Sequence, residues 1–481
     1  MSVAVELLEQ LPGARPHNLK SLRGEPFTGV STDSRTIRSG ELFVALRGDK
    51  FDGHNFMKEA FDHGAAAAIV DVRWLELNQV AFGPCALVGV SDTCKALGEL
   101  ARAHRRNFDI PVIGVAGSNG KTTTKELIAS VLSAGVVAAV PGGQDKRPAP
   151  GTGATTTRIL KTEGTLNNHI GVPLTVLRLE PQHKAAVVEL GTNHLGEVAS
   201  LCEIAEPTHG LITNIGREHL EFFGTLDNVA RAEGELFDWL AQSGGTAFVN
   251  ADEPRIVALA ERLKKRWRYG FAAADADVRG IDHGLAADGT GKLGVHCAAE
   301  GAKFETRVGL VGRHHVHNAL AAAAVGLHFA IEPAQIQAAL ASAKAAKHRM
   351  NVFQVRGITI LDDTYNANPD SMLAALHTLA ALPCKGRRIA ALGNMGELGG
   401  QSEALHQEIG RAVRSLKVDA LFTVGELGRI IHEAAALGAG AHCGSREELA
   451  KLLKATVQPG DVVLLKASRS VGLDGVVEGL R

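Results

Sequence analysis

A glycine turn followed by a lysine and three threonines lies near residue 120. The preceding run, 112–116, is short, apolar and β-branched, as buried strands are. The residues that follow it are Gly117, Ser118, Asn119, Gly120, Lys121, Thr122 and Thr123. In such a strand–loop–helix unit, backbone N–H groups point at phosphate oxygens, the lysine pairs with the β- and γ-phosphates, and a hydroxyl holds Mg²⁺. Val115 stands where the longer motif has a glycine, so the shorter G-x-x-G-K-T form predicts a nucleoside triphosphate site. The alternative is an ordinary strand-to-helix turn.

A Mg²⁺ ion needs more oxygen ligands than one threonine hydroxyl supplies. Glu189 lies near the end of the apolar run 185–190, and His219 follows the run 210–214 after a short connection. The carboxyl ends of parallel strands form the edge at which ligands bind in open α/β sheets. We therefore predict that Thr122, Glu189 and His219 bind Mg²⁺, with waters and phosphate oxygens as the other ligands. A histidine taken alone is more often structural, so its position relative to the glycine turn carries this prediction.

Composition limits the function classes. The chain has 481 residues, of which 45% are hydrophobic, and a formal net charge of −1. This length predicts two to four domains, and the balanced charge argues against nucleic acid or an anionic membrane as partner. The six cysteines are scattered without a C-x-x-C pair, which indicates reduced thiols. No apolar run reaches the roughly 18 residues that a membrane span needs, and the start resembles no signal peptide. We expect a cytoplasmic protein, without membrane insertion.

Three successive α/β patterns divide the sequence, at 1–109, 110–345 and 346–481. In the first, the strands 27–31 and 41–46 end in polar turns that either bind a polar ligand or are ordinary solvated loops. In the second, apolar runs alternate with helical patterns, which favours a largely parallel sheet. The third repeats that alternation, with strand candidates at 358–361, 388–392, 420–424 and 461–465. The segment 141–157 is poor in bulky apolar residues and is predicted to be a loop insertion.

A series of short motifs extends over nearly the whole chain. They are STDSR (31–35), FVALRGDKFDGHNF (43–56), GSNGKTTTKE (117–126), TEGTLNNHIGVPLT (162–175), ELGTNHLGE (189–197), NIGREHLEFFG (214–224), GRHHVHNALAA (312–322), DDTYNANPDSM (362–372), LGNMGELG (392–399) and KASRSVGL (466–473). On these motifs the chain resembles the Mur ligases. The runs NNHIGVPLT and DDTYNANP resemble, within that family, the members that add D-alanyl-D-alanine to UDP-N-acetylmuramoyl-tripeptide.

The resemblance implies an α/β fold of three domains. These are an N-terminal domain for the UDP substrate, a P-loop central domain that binds ATP on a largely parallel sheet, and a Rossmann-like C-terminal α/β domain that closes on the nucleotide. It also implies an ATP-dependent amide ligase that works through an acyl phosphate in peptidoglycan synthesis, and hence in cell-wall growth, cell shape and cell division. Its cofactors are expected to be ATP and Mg²⁺. We expect a monomer whose partners are UDP-N-acetylmuramoyl-tripeptide and D-alanyl-D-alanine.

Residue roles follow from the resemblance, position by position. The expected catalytic residues are Lys121, Glu189, His219, Glu233 and Arg349. Nucleotide contacts beyond the glycine turn are expected from Asn318, toward adenine, and from Asp363 and Tyr365. Substrate contacts are expected from Ser31, Ser34, Arg35, Asn167, Asn168, Lys466 and Arg469. The loop around Gly53 and His54 is expected to assist in holding the UDP portion.

The sequence departs from the family pattern at three positions. His315 replaces the first asparagine of the GRHNVxNA motif, and Asn394 replaces the aspartate of LGDM. Glu233 occupies the position at which the family has a carbamylated lysine, and no lysine lies between Lys184 and Lys264. Glu233 therefore either substitutes for the carbamate as an anion, which we predict, or is a solvated carboxylate on a helix surface.

Two alternatives stay open at this level. One is a sibling ligase, either another Mur enzyme or one like folylpolyglutamate synthase, although the first-domain motifs and the tyrosine-bearing turn argue against folate. The other is a P-loop ATPase without an amide product. The sequence leaves open whether the third residue of the tripeptide is diaminopimelate or lysine.

Overall fold

The computed structural model describes residues 3–22, 25–48, 51–78, 80–135 and 158–481. Three larger sheets, of five, nine and six strands, each lie within one of the three predicted ranges, and the domain boundaries themselves stay a prediction. The predicted insertion at 141–157 lies outside the described residues. None of the six cysteines, all within the described ranges, forms a disulfide. In this part of the chain, no helix is both long and apolar enough to cross a membrane.

The N-terminal domain is a small α/β unit. Its five-stranded sheet has the order β1-β7-β6-β3-β2, parallel except for β1, and β4 and β5 form a separate hairpin. The strands are β1 Arg15–His17, β2 Gly29–Ser31, β3 Glu41–Val44, β4 Arg47–Gly48, β5 Phe51–Asp52, β6 Ala67–Asp71 and β7 Ala86–Val90. The helices are α1 Glu6–Glu9, α2 Met57–Asp62, α3 Val72–Asn78 and α4 Thr93–Arg105. Ahead of α1, Val3 pairs with Phe27 as an isolated antiparallel β-bridge.

The central domain is built on the nine-stranded sheet, whose order is β16-β15-β14-β13-β12-β11-β8-β10-β9. The strands are β8 Val112–Ala116, β9 Arg158–Lys161, β10 His183–Glu189, β11 His209–Ile212, β12 Thr246–Asn250, β13 Lys265–Gly270, β14 Val278–Leu285, β15 Thr290–Cys297 and β16 Ala302–Val311. Strands β8 to β14 pair in parallel, as predicted. The last two strands extend the sheet as antiparallel hairpins, which the sequence analysis did not predict.

Helices cover both faces of this sheet. They are α5 Lys121–Ala134, α6 Gly171–Val176, α7 Glu197–Ala205, α8 Leu220–Phe223, α9 Leu226–Ser243, α10 Pro254–Ala260, α11 His314–His328 and α12 Pro333–Ala341. The alanine-rich stretch 319–324 of α11 is buried, and its small side chains let α11 pack closely beside α5. Helix α5 therefore packs between α11 and the strands β9 and β10. The glycine turn that joins β8 to α5 lies at the carboxyl edge of the sheet.

The C-terminal domain has a six-stranded sheet of order β17-β18-β22-β19-β20-β21, parallel except for the edge strand β17. The strands are β17 Asn351–Val355, β18 Ile358–Asp362, β19 Arg388–Gly393, β20 Ala420–Val424, β21 Gly440–Cys443 and β22 Val462–Lys466. The helices are α13 Pro369–Ala381, α14 Ser402–Ser415, α15 Glu426–Ala435, α16 Arg446–Thr456 and α17 Asp474–Leu480. Asn368 and Ser371 form a capping box at the start of α13, so the end of the DDTYNANP run begins a helix.

Candidate active site

The glycine turn packs tightly against its neighbours. Gly117 and Gly120 have φ angles of +110° and +81°, a region that glycine adopts without strain. A Cβ atom at Gly117 would clash with Thr213 Oγ1, and one at Gly120 would lie 2.8 Å from Asn318 Oδ1. Helix α5 begins at Lys121, so the N–H groups of its first turn face the cleft beyond the sheet edge. The turn has the geometry of a phosphate-binding loop.

Lys121 is folded back on this loop and surrounded by carboxylates. Its Nζ donates to Gly117 O at 2.5 Å and lies 3.5 Å from Glu218 Oε1. Burial disfavours the ammonium, but the nearby Glu218, Glu233 and Glu189 outweigh that penalty and raise the pKa of Lys121. The lysine is therefore a fixed positive charge at the loop, as phosphoryl transfer requires.

Glu189 and Thr122 meet at the end of β10. Thr122 Oγ1 donates to Glu189 Oε1 at 3.2 Å, and Asn167 Nδ2 donates to the same oxygen at 2.9 Å. The other oxygen, Oε2, is buried without a hydrogen-bond partner among the described residues and lies 3.8 Å from Lys125 Nζ. A buried carboxylate oxygen beside a hydroxyl suits a hard cation such as Mg²⁺.

The available ligands suit Mg²⁺ better than a metal whose ligands are all protein side chains. Within the described ranges, no three histidine, cysteine, aspartate or glutamate side chains form a metal-binding cluster. Mg²⁺ keeps several waters and shares substrate phosphate oxygens, so a carboxylate, a hydroxyl and one imidazole are enough. Thr122, Glu189 and His219 could supply those three ligands.

Glu218 and Glu233 form a second, fully buried acidic pair that faces Lys121. Glu233 Oε2 accepts the Gly117 N–H at 2.6 Å, so a carboxylate on α9 holds the phosphate loop directly. Burial raises the pKa of both groups, and that of Glu218 reaches about 8, mainly through burial and further through the nearby Glu233, although Lys121 opposes the shift. Glu233 is 0% exposed, which rules out the alternative of a solvated surface carboxylate.

His219 adopts a left-handed backbone conformation, with φ of +50°, just before α8. Its Nδ1 is hydrogen-bonded to Glu397 of the C-terminal domain. Burial lowers the pKa of His219, although the Glu397 carboxylate opposes that shift, so the ring is largely neutral near pH 7. A neutral imidazole is the form that can bind a metal.

One cavity of about 520 Å³ collects most of the predicted cleft residues. Those that line it are Ser118, Asn119, Gly120, Lys121, Thr122, Thr123, Asn167, Glu189, His219, Asn318, Arg349, Asp363, Tyr365 and Lys466. Asn318 lies against Gly120, and its Nδ2 is 3.4 Å from Nδ1 of His315. The Nε2 atom of His315 is buried and has no partner in the described part of the chain.

The C-terminal domain contributes one wall of this cavity and bonds to the central domain across it. Tyr365 Oη donates to Thr165 Oγ1 at 2.6 Å, and Arg349 lies 4.1 Å above the Tyr365 ring. Asn368 Nδ2 donates to Asn119 Oδ1 of the glycine turn at 2.8 Å. The C-terminal domain is therefore docked on the phosphate loop.

The buried Lys466 pairs with the partly buried Asp363 inside this wall. Lys466 Nζ donates to Asp363 Oδ2 at 2.6 Å and to the Asn366 carbonyl at 2.8 Å. Asp363 also accepts the Met350 N–H at 3.0 Å. Asp363 was predicted to contact the nucleotide and Lys466 the peptide. The structure places these two side chains in direct contact.

Other predicted residues lie outside the cavity. Asn168 accepts the N–H groups of Ile170 and Gly171 and so holds the start of α6. Arg469 is mostly exposed, with its guanidinium 5.9 Å from the Tyr365 ring. Asn394 accepts the Gly428 N–H, so this departure from the family pattern joins the end of β19 to the first turn of α15.

The predicted UDP-binding turn belongs to the N-terminal domain and does not line the cavity. Ser31 Oγ donates to the Asp33 carbonyl, and Ser34 Oγ donates to Glu59 Oε2 at 3.0 Å. Arg35 forms a two-point contact with Asp33 at 2.9 and 2.7 Å, and its side chain is 80% exposed. This contact lowers the pKa of Asp33 to about 2.

His54, near this turn, is a buried structural residue. Its Nδ1 bonds to Asp52 Oδ1 at 2.6 Å, and its Nε2 accepts the Asp71 N–H at 2.8 Å. Both ring nitrogens are therefore used within the domain, so a contact from this loop to the UDP portion would not come from the His54 ring.

Comparison with known proteins fits this arrangement. Three family models match in chain order: "Mur ligase family, catalytic domain" at residues 26–105, "Mur ligase middle domain" at 115–326, and "Mur ligase, glutamate ligase domain" at 348–469. This chain belongs to the Mur ligase family. It is 36% identical to UDP-N-acetylmuramoyl-tripeptide–D-alanyl-D-alanine ligase of Escherichia coli (strain K12), over 96% of this chain and 95% of that protein.

Solved Mur ligase structures share the fold. The crystal structure of MurF from Acinetobacter baumannii superposes with a TM-score of 0.83 at 30% identity, covering 100% of this chain and 99% of that one. MurF from Thermotoga maritima, solved in complex with ADP, gives a TM-score of 0.77 at 27% identity, over 94% and 96% of the two chains. The three-domain α/β architecture predicted from the sequence is therefore confirmed.

Several residues of the site were not selected from the sequence. Glu218 stands directly before His219, and Glu397 lies in the LGNMGELG motif, but nothing local indicates which way either side chain points. Lys125 is fully buried in α5 and donates to the carbonyls of Thr162 and Gly164. Its position within the GSNGKTTTKE motif, one turn beyond Lys121, was the available signal.

Proposed function

We propose that this Mur ligase is the ATP-dependent enzyme that joins D-alanyl-D-alanine to UDP-N-acetylmuramoyl-tripeptide, which yields the pentapeptide precursor of peptidoglycan. The observation that carries the proposal is the cleft in which a phosphate loop, buried carboxylates and the C-terminal domain face one cavity. The match to full-length relatives of that name supports the choice of substrates. The chain therefore functions as a carbon–nitrogen ligase.

The reaction proceeds in two displacements. A carboxylate oxygen of the tripeptide attacks the γ-phosphorus of ATP, the bond from that phosphorus to the β,γ-bridging oxygen breaks, and ADP leaves. The amine of D-alanyl-D-alanine then attacks the acyl carbon, and the bond from that carbon to the phosphate oxygen breaks. Inorganic phosphate leaves and the nitrogen loses a proton, so the product is an amide.

Lys121 stabilises charge in the first displacement. Its ammonium is within reach of the loop carbonyl of Gly117, so it can move from that carbonyl to the β- and γ-phosphates. Arg349, held over Tyr365, supplies a second positive charge from the C-terminal domain. Glu233 holds the loop through the Gly117 N–H and supplies the anion that the family obtains from a carbamate.

Thr122, Glu189 and His219 would hold Mg²⁺ in this cleft. When bound there, Mg²⁺ would neutralise phosphate charge and orient the γ-phosphoryl group. The Glu189 carboxylate supports this assignment, because one of its oxygens meets the Thr122 hydroxyl and the other is buried without a hydrogen-bond partner among the described residues.

Substrate binding is divided between the domains. Asn318, with His315 behind it, would contact adenine, while Asp363 and Tyr365 complete the nucleotide site. Ser31, Ser34 and Arg35 would bind the UDP portion, and Asn167, Asn168, Lys466 and Arg469 would line the path of the peptide. Docking of the C-terminal domain excludes water that would hydrolyse the acyl phosphate. We propose that the enzyme works as a cytoplasmic monomer.

Product analysis by mass spectrometry tests the substrate assignment. The enzyme would be incubated with ATP, D-alanyl-D-alanine and a panel of UDP-muramoyl peptides that end in diaminopimelate, lysine or glutamate. We expect the dipeptide to be added to a tripeptide and not to the shorter peptide. In parallel reactions that contain single amino acids in place of the dipeptide, addition of one of them to a shorter acceptor would instead identify a sibling ligase.

A further inference from the structure

Glu397, a residue of the C-terminal domain, contacts the candidate metal ligand His219 of the central domain. Its Oε2 is hydrogen-bonded to His219 Nδ1. A carboxylate only accepts hydrogen bonds, so Nδ1 must carry the proton of the neutral ring. The lone pair of the neutral imidazole then lies on Nε2, which is 3.9 Å from Glu218 Oε2 and too far from it for a hydrogen bond.

Backbone contacts hold Glu397 in this place independently of its side chain. The Glu221 N–H donates to the Glu397 carbonyl at 3.0 Å, and Gln401 Nε2 donates to the Gly224 carbonyl at 3.3 Å. Gly399 packs so closely that a Cβ there would lie 3.1 Å from the Glu221 Cα. A change of the Glu397 side chain should therefore leave the loop where it is.

Both residues of the pair are in backbone conformations that side chains rarely adopt. His219 has φ of +50° and Glu397 has φ of +58°. Such conformations persist where the surrounding structure fixes them, and they are concentrated at functional sites. The pair joins residues 178 positions apart in the chain, so it forms only when the two domains are docked.

We propose that Glu397 is a positioning residue that fixes the His219 ring with Nε2 free for the cation of the active site. The proposal rests on the proposed function, which assigns His219 to Mg²⁺. A carboxylate that orients a metal-binding imidazole sets both its tautomer and its direction. Because the carboxylate comes from the other domain, cation binding and domain docking favour each other reciprocally.

The tautomer of His219 can be measured without any metal. Nitrogen NMR of the full chain, labelled in histidine and assigned with a His219→Asn variant, reports which ring nitrogen carries the proton. We expect the Nδ1–H form in the parent and in Glu397→Gln, whose amide oxygen still accepts. Glu397→Ala should shift the ring toward the Nε2–H form. An unchanged tautomer in Glu397→Ala would overturn the proposal.

Measurement of cation affinity tests whether Glu397 supports metal binding by His219. Mn²⁺ would be titrated by electron paramagnetic resonance in the presence of ADP. Loss of such a supporting carboxylate typically weakens metal binding by about 10- to 100-fold, and we expect Glu397→Ala to lie in that range. The control Gln401→Ala removes a contact at the same interface without touching His219, and it should stay within about twofold of the parent.

A double-mutant cycle separates positioning from docking. In a His219→Ala background, Glu397→Ala should cause no further loss of Mn²⁺ affinity, because its effect passes through the ring. An equal loss with and without His219 would overturn the positioning role. Unchanged Mn²⁺ affinity in His219→Ala alone would refute His219 as a ligand and this proposal with it, whereas the product assay would still report on ligase activity.

Discussion

Carboxylates in two regions of this enzyme have pKa values shifted in opposite directions. In the exposed turn of the N-terminal domain, Arg35 lowers the pKa of Asp33 to about 2. In the cleft, burial raises the pKa of Glu218 to about 8 and raises that of Glu233 as well. The turn is electrostatically satisfied by itself, whereas the cleft buries carboxyl groups whose pKa values are raised, because Lys121 does not fully offset the cost of ionising them away from water.

This difference indicates how the work of the enzyme is divided. The excess of carboxylate in the cleft suits a site that receives cations and acts on a phosphoryl group. The turn presents an exposed arginine, which suits binding of an anionic substrate without participation in the chemistry. We therefore expect substitutions in the cleft to lower kcat and substitutions in the turn to raise KM.

Loss of Lys121 should have the largest effect. Lys121→Met removes the positive charge that faces the transferring phosphoryl group, and we expect kcat to fall by about 10³-fold. Steady-state formation of pentapeptide measures this, with circular dichroism to verify folding. Lys121→Arg keeps the charge and should retain more activity than Lys121→Met. A loss of less than tenfold in Lys121→Met would remove the lysine from the chemistry.

Substitution of Glu233 should cause the second largest loss of activity. Glu233→Ala deletes the contact to the Gly117 N–H and the anion near Lys121, and we expect a loss in kcat of about 10²-fold. Parent activity should be indifferent to bicarbonate, whereas Glu233→Lys should recover part of the loss only when bicarbonate is added. The exposed Glu261, in the same domain, provides a matched control, because Glu261→Ala should behave as the parent. Parent-like activity of Glu233→Ala would refute the substitution of carbamate by glutamate.

Arg35 should affect binding and not the chemistry. Arg35→Ala removes an exposed cation, and we expect KM for the UDP substrate to rise by about tenfold with kcat and KM for ATP within about twofold. Lys58, whose ion pair with Asp62 lies on α2 of the same domain, is the control and should tolerate alanine. A fall in kcat at constant KM would contradict the proposal that the turn binds substrate while the cleft carries out the chemistry.

The smallest expected effect is a difference between the two regions in how protein stability depends on pH. Glu218 keeps a proton in the folded state up to about pH 8 but loses it near 4.5 when unfolded, so it lowers stability as pH rises between those values. Glu218→Gln should therefore have a Tm a few degrees above the parent at pH 8, and less above it at pH 5.5.

Asp33 is the contrasting control in that experiment. Its stabilising interaction is complete above the unfolded value of 3.8 and is lost only toward pH 2. The Tm difference between Asp33→Asn and the parent should therefore stay constant from pH 5.5 to 8. A Tm gap for Glu218→Gln that is equally constant would contradict the raised pKa of Glu218.

Local sequence predicted the strands and the phosphate loop well. Strands 112–116 and 420–424 were both predicted with the observed bounds, because short apolar runs between turn residues leave little choice. The burial of Glu233 also had a signal, since it lies at helical spacing between the apolar Val229 and Leu236.

Contacts between distant parts of the chain could not be predicted in the same way. In β15 two glycines and the exposed Lys292 and His296 interrupt the apolar residues, and the first half of β16 alternates buried and exposed positions, so neither strand has the continuous apolar run that predicts a buried parallel strand. The contact of His219 with Glu397 depends on how two domains dock, for which neither motif carries a local signal. Asn168 and Arg469 were assigned by resemblance, and the structure places both outside the cavity.

Phosphate release with each substrate omitted in turn tests the central claim most directly. The reaction would contain ATP, UDP-N-acetylmuramoyl-tripeptide and D-alanyl-D-alanine, with phosphate and pentapeptide measured together. The account predicts equimolar phosphate and pentapeptide in the complete mixture and no sustained phosphate release without either the tripeptide or the dipeptide. Sustained turnover of ATP in the absence of the dipeptide would show an ATPase and contradict the assignment as a ligase.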